Sequence, residues 1–254
     1  MRQSPLFNKI DTANTYLDEA EHATIKGVSL KTAFLLAITI TIAVVTAIFL
    51  PKIVSDGKSL SVFIGVLIGA AIIGFISVLV GRLSERASKY AGLVYSLCEG
   101  LFLGALTRIA EELVPGVGFI AMAVTLTIFA VMLLLYSIGI FRSGSKLRKA
   151  LIAIAFAGLA IALVTTLTIL IMNIAGVSFD KSILPILIIV EIFFLLYGVI
   201  TLIFNFDEAN AVVQTGASKN AEWCVALGLQ VSLIYIYVEV IRLIILIAAS
   251  SSKN

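Results

Sequence analysis

Seven long apolar runs divide this chain, and they constrain its fold more than any other feature. They span residues 32–50, 61–80, 91–109, 118–141, 150–174, 183–205 and 223–248. Each holds 19 to 26 residues. At 1.5 Å per residue, that is the length a helix needs to cross about 30 Å of hydrocarbon. Short alternating strands of the kind a membrane barrel requires are absent. A helix satisfies its own backbone hydrogen bonds, which lipid cannot do. The sequence therefore predicts an all-α, polytopic bundle of seven transmembrane helices. Composition agrees: 61% of the residues are hydrophobic and 13% charged, where a soluble domain carries about a quarter charged residues.

The organisation predicted is a polar cytosolic N-terminal tail over 1–31, a transmembrane domain over 32–248 and a short C-terminal tail over 249–254. The tail mixes Asp11, Asp18, Glu19 and Glu21 with Arg2, Lys9, Lys26 and Lys31, and its stretch "TYLDEAEHATIK" is a candidate for partial helix. No cleavable signal peptide is expected, because the first apolar run follows a long polar stretch and lacks a small-residue cleavage pattern.

The breaks between runs have local causes. "PKIVSDGKS" ends the first with proline, glycine and charge, and "GRLSERASK", "EELVPGVG", "RSGSKLRK", "VSFDKS" and "QTGASKN" separate the others. Pro185 fits the first turn of the sixth helix. With the N-terminus inside, twelve basic residues fall on inside segments and six on outside, helix-edge and C-terminal positions. That asymmetry predicts a cytosolic N-terminus. Small residues recur every four positions at Gly65 and Gly69, and at Ser96, Gly100 and Gly104. They allow close helix packing.

Several chemistries are disfavoured. Cys98 and Cys224 form no CxxC pair, and the single histidine, His22, lies in the polar tail as a solvated side chain. A zinc or iron–sulfur site and a disulfide framework are not expected. An intramembrane protease or zinc enzyme would need histidines inside the bundle, so the chain is not expected to be an enzyme. A net charge of +3 gives no reason to expect nucleic acid as a partner. A secondary transporter would show an inverted repeat, and none is evident.

Charge inside the bilayer is the most informative signal. Glu99, Glu191 and Glu239 lie within apolar runs, and Asp207 at the cytosolic end of the sixth. An ionised acid at the bilayer centre costs at least about 2.5–3.5 kcal/mol. Such acids face the bundle interior, pair, or line a water path. Burial disfavours the charged form of a carboxyl group, and a second carboxylate beside it disfavours it further, so a pair of acids can work as a proton switch. Gly228, Ser232, Tyr235, Glu239 and Arg242 share one helical face. Glu239 and Arg242 are also placed to neutralise each other at i,i+3, unless Arg242 snorkels to the interface. Glu191 heads a similar stripe with Phe194, Gly198, Thr201 and Asn205, and Glu99 is flanked by Tyr95 and Gly92.

The segment "FNFDEANAVVQTGASKNAEWCVALGLQVSLIYIYVEVIRLI", with "ASKYAGLVYSLCEGLFLGAL" in the third run, resembles the Bax inhibitor family, also called the transmembrane Bax-inhibitor-motif family, and within it the prokaryotic Bax-inhibitor/YccA-like branch. The resemblance covers the last five segments best. It implies six helices around a central seventh, and a pH-sensitive leak of calcium or another cation. An acid from helix six and one from helix seven gate that leak. On this chain those positions match Asp207 and Glu239, the second being longer by one methylene than the family's usual aspartate. The segment joining the two acids is also about two helical turns longer than in the better-known members. A basic residue ending helix two closes the pathway in such proteins. Arg82 matches it best and Arg86 next, with Arg82 expected to pair with Asp207. Glu99 and Glu191 are further candidate pathway acids.

Carboxylate oxygens suit calcium. Asp207 and Glu239 would form at most a weak, transient site, and no resident cofactor is expected. The resemblance also implies stress protection and contact with a membrane protease or another membrane protein. The alternative function is thus a non-conducting interaction protein that modulates stress response or membrane-protein quality control. The expected location is the plasma (inner) membrane of a prokaryote.

Overall fold

A computed structural model describes residues 22–54, 57–137 and 184–251. Six helices fill them: α1 (Ile25–Val54), α2 (Gly57–Leu83), α3 (Ser88–Leu113), α4 (Val117–Ser137), α5 (Leu184–Gln214) and α6 (Ala221–Ser251). All six are long and apolar enough to cross a membrane. The fifth predicted run, 150–174, and the basic loop at 142–149 lie outside the described residues.

The helix ends follow local chemistry. Thr24 caps α1, its hydroxyl accepting from the Gly27 N–H at 2.9 Å, which satisfies a backbone donor that has no partner within the helix. Helix α1 therefore starts inside the stretch read as tail, and 25–31 belong to it. It also runs past Pro51 to Val54. Glu111 joins α3 to α4 by accepting from the N–H groups of Gly116 (2.7 Å) and Gly118 (2.9 Å). Gly116, at φ 85°, makes the turn that a β-carbon would strain. Pro185 stands in the first turn of α5, as expected. At the other end Gly216, φ 62°, closes α5 with paired bonds from Gly216 N–H to Val213 O and from Ala217 N–H to Val212 O. That is the Schellman arrangement. The incoming chain pairs with this turn, since Ala23 N–H donates to Ala217 O at 2.9 Å and His22 Nδ1 to Gly216 O at 2.7 Å. His22 is exposed, as read, yet it is tied to the backbone.

The described residues fall into two compact units. The first joins those up to Phe102 with Glu208–Gln230, and the second joins Leu103–Asp207 with those from Val231 on. Within the first unit, the opening third of α6 meets α1, α2 and α3. Glu222 binds Lys31 and Thr24, Leu227 lies against Gly81, and Gln230 donates to Thr39 and Ser96. Within the second unit, the rest of α6 meets α3, α4 and α5. Tyr237 bonds Thr107 and approaches Gly118, and Tyr235 packs on Gly198. The last helix thus meets α1, α2 and α3 in the first unit and α3, α4 and α5 in the second. Side chains such as Ile68, Phe75, Phe119 and Ile189 stay exposed, which is costly in water and favourable in lipid.

Candidate functional site

In the second unit the two predicted polar stripes face each other. Helices α5 and α6 run antiparallel, and contacts follow the stripes in order. Asn205 Nδ2 donates to Ser232 Oγ at 2.7 Å. Gly198 leaves room for the Tyr235 ring, whose Cδ1 stands 2.7 Å from where a β-carbon would sit. The Tyr235 hydroxyl donates to Phe194 O at 3.3 Å. At the end of the seam lie Glu191, Glu239 and Arg242. The two carboxyl groups share one neighbour, the Arg242 guanidinium. Arg242 bridges them, with Nε 3.5 Å from Glu191 Oε1 and NH1 3.4 Å from Glu239 Oε2. Glu191 is 5% exposed and Glu239 4%, whereas the Arg242 side chain is 49% exposed. The cation thus reaches outward while both acids stay inside.

This arrangement corrects the expected pair. Glu239 meets Glu191, not Asp207. Asp207 lies sixteen residues further along the same unbroken helix, about 24 Å at helical rise. Asn205, two residues before Asp207, is level with Ser232, which is seven residues before Glu239. In an antiparallel pair, stepping forward on both helices from a contact moves the residues apart. Asp207 and Glu239 are therefore separated along the seam, and one calcium ion cannot be held by both. Among the described residues no three His, Cys, Asp or Glu side chains group to hold a metal ion. The expectation that Glu239 and Arg242 pair at i,i+3 holds, with Glu191 as the third member.

The other candidates lie in the first unit. Arg82 ends α2 and its NH2 donates to Glu208 at 2.8 Å, the acid beside the one predicted. Its NH1 lies 3.4 Å from Cys224 O. Arg86 is exposed in the connection between α2 and α3. Glu99 is half-buried, one turn after buried Tyr95, and makes no hydrogen bond or ion pair among the described residues.

Two polar clusters of the first unit escaped the sequence reading. Glu222, fully buried, accepts from Thr24 N–H (2.7 Å), Thr24 Oγ1 (3.2 Å) and Lys31 Nζ (2.6 Å). Gln230 is also fully buried. Its amide donates to Thr39 Oγ1 at 2.9 Å and Ser96 Oγ at 2.8 Å, and its carbonyl oxygen takes no bond. Glu222 could have been found as an acid in the first turn of α6, where the helix dipole favours negative charge. Nothing local marks Gln230.

Comparison with known families bears on what this bundle is. The family described as Bax inhibitor 1 like matches residues 4–249. The chain belongs to that family. The match takes in five described helices whole and α6 up to its last two residues, and this Bax inhibitor 1 like protein is a multi-pass integral membrane protein. The chain matches no curated protein and no solved structure.

Proposed function

We propose that this Bax inhibitor 1 like protein forms a pH-sensitive leak for calcium or another cation, gated by protonation of the acid pair Glu191 and Glu239. The observation that carries the reading is the meeting of two buried carboxyl groups and one arginine at the α5–α6 seam. With one shared proton the cluster is neutral, because Arg242 balances the remaining carboxylate. Loss of that proton leaves one uncompensated negative charge in a poorly solvated site. Such a site separates its members or attracts a cation. Either response biases the packing of α6, a helix that meets α3, α4 and α5 in the second unit. Calcium is then a passing ion held weakly, as conduction requires, and no resident cofactor and no enzymatic step enter. We further propose that 150–174 supplies a seventh span and that the N-terminus faces the cytosol of a prokaryotic cell.

The test is purified protein in liposomes with a trapped calcium dye, read from pH 5 to 8 beside empty vesicles. Glu239→Gln and Glu191→Gln keep shape and hydrogen-bonding capacity but cannot titrate. Each is expected to preserve folding and abolish the pH dependence of the leak. A leak with an unchanged pH profile in both variants removes the pair from the mechanism. Traces identical to empty vesicles for the unaltered protein would favour the non-conducting interaction protein acting in stress response or membrane quality control.

A further inference from the structure

Helices α1, α3 and α6 of the first unit carry a basic and aromatic cluster where they begin. Lys31 is in the second turn of α1, Lys89 is the second residue of α3 and Trp223 the third of α6. The Trp223 ring is shared. Lys31 Nζ stands 5.0 Å from its centroid and Lys89 Nζ 5.9 Å, within the range of cation–π attraction. Their charges are not equivalent. Lys31 is neutralised by Glu222 at 2.6 Å and also donates to Lys219 O at 2.9 Å. Lys89 is exposed and has no carboxylate among the described residues. The Trp223 indole N–H likewise has no acceptor among them. Phe34 stands edge-on to Trp223 at 6.3 Å and is half exposed, and Tyr90, next to Lys89 in the chain, is 68% exposed.

We infer that this cluster binds the headgroup of an anionic phospholipid on the membrane face where α1, α3 and α6 begin. Three features select that ligand. Lys89 brings a positive charge with no carboxylate partner among the described residues, which a phosphodiester anion balances and a zwitterionic headgroup does not. The indole N–H and the ammonium are both donors that a phosphate oxygen accepts from. The exposed Phe34 ring lies three residues into the membrane from Lys31, so it offers a wall to the acyl chain of a lipid. A soluble anion would leave that wall unused. Tryptophan and lysine gather at this depth because one end of each is apolar and the other wet.

The chain has one tryptophan, so its fluorescence reports this site alone. The full-length protein is reconstituted in phosphatidylcholine vesicles. Increasing fractions of phosphatidylglycerol or phosphatidylcholine with brominated acyl chains are then mixed in as quenchers. Half-maximal quenching is expected at about fivefold lower fraction of the brominated phosphatidylglycerol, the factor that one lysine near an anionic surface contributes. Lys89→Gln should reduce the preference below about twofold. Lys26→Gln, an exposed lysine in the first turn of α1, should leave it intact. Lys89 is exposed, so its variant is expected to fold, and an unshifted emission maximum verifies this. Equal quenching by both lipids would mean an ordinary aromatic anchor and overturn the inference. So would equal loss in the two lysine variants, which is diffuse charge attraction, or relief of quenching by soluble glycerophosphate, which is a free-phosphate site.

Discussion

Replacing Glu222 by alanine removes the acceptor that ties the start of α1 to the start of α6. The carboxylate is about 1% exposed and its partner Lys31 17%, so solvent screens the pair little. Breaking a buried ion pair by deleting one partner typically costs about 3–5 kcal/mol. Here Lys31 keeps the Lys219 carbonyl and the Trp223 ring, which lowers the expected cost to about 2–3 kcal/mol. For a chain of this size that corresponds to a fall of about 7 °C in the melting temperature. Thermal unfolding in detergent, followed by circular dichroism, measures it. Gly27 sharpens the test, because a β-carbon there would overlap the Glu222 carboxylate. Gly27→Ala alone should therefore destabilise, forcing the carboxylate off Thr24 and Lys31. In the Glu222→Ala background the obstruction is gone, and the same change should instead stabilise by up to about 0.5–1 kcal/mol, because alanine is the better helix former. The double variant Lys31→Met with Glu222→Leu should recover most of the loss, since replacing both ionic partners by apolar groups is nearly neutral. A loss under about 0.5 kcal/mol for Glu222→Ala, or a Gly27→Ala effect of the same sign and size in both backgrounds, would refute the reasoning.

Gly198→Ala places a β-carbon 2.7 Å from Tyr235 Cδ1 and 3.1 Å from Ile236 Cγ1; it should cost about 1–3 kcal/mol of overpacking in a thermal melt. Asn205→Ala removes the bond to Ser232 and should cost about 0.6–1.7 kcal/mol, the range for hydrogen bonds between membrane helices, with Ser232→Ala adding little once Asn205 is gone. Arg82→Ala breaks a bridge whose side chains are 33% and 25% exposed, so it should cost less than about 1 kcal/mol. A much larger change in liposome leak would then be a gating effect, and an unchanged leak would take Arg82 out of the gate.

The sequence by itself determined the helical class, because runs of 19 to 26 apolar residues permit one backbone solution in lipid. It also placed the breaks between helices, which depend on residues within a turn of one another, while the helices themselves run several residues past the apolar runs at most ends, α5 to Gln214 where 205 was expected. Pro185 and Gly216 stand where their fixed or permissive backbone angles require. The two polar stripes were legible for the same reason: a period of 3.6 is a local property, and Glu191 and Glu239 were each read as members of such a face.

Only the tertiary structure decided which stripe position meets which. Antiparallel contact sets the register of α5 against α6, and a helix slides by 1.5 Å per residue without changing its own hydrogen bonds. Sequence spacing carries no information about that slide. Family resemblance supplied Asp207 as the partner of Glu239, and the register of Asn205 on Ser232 and Gly198 on Tyr235 supplies Glu191 instead. The start of α1 was misplaced because Lys26 and Lys31 are polar, and a charged residue in a membrane helix reaches the interface or pairs with a partner. For Lys31 that partner is Glu222, 191 residues away. Gln230 meets Thr39 and Ser96 across similar distances in sequence. Buried polar groups are satisfied by whatever the fold brings beside them, so their roles become visible only once the helices are packed.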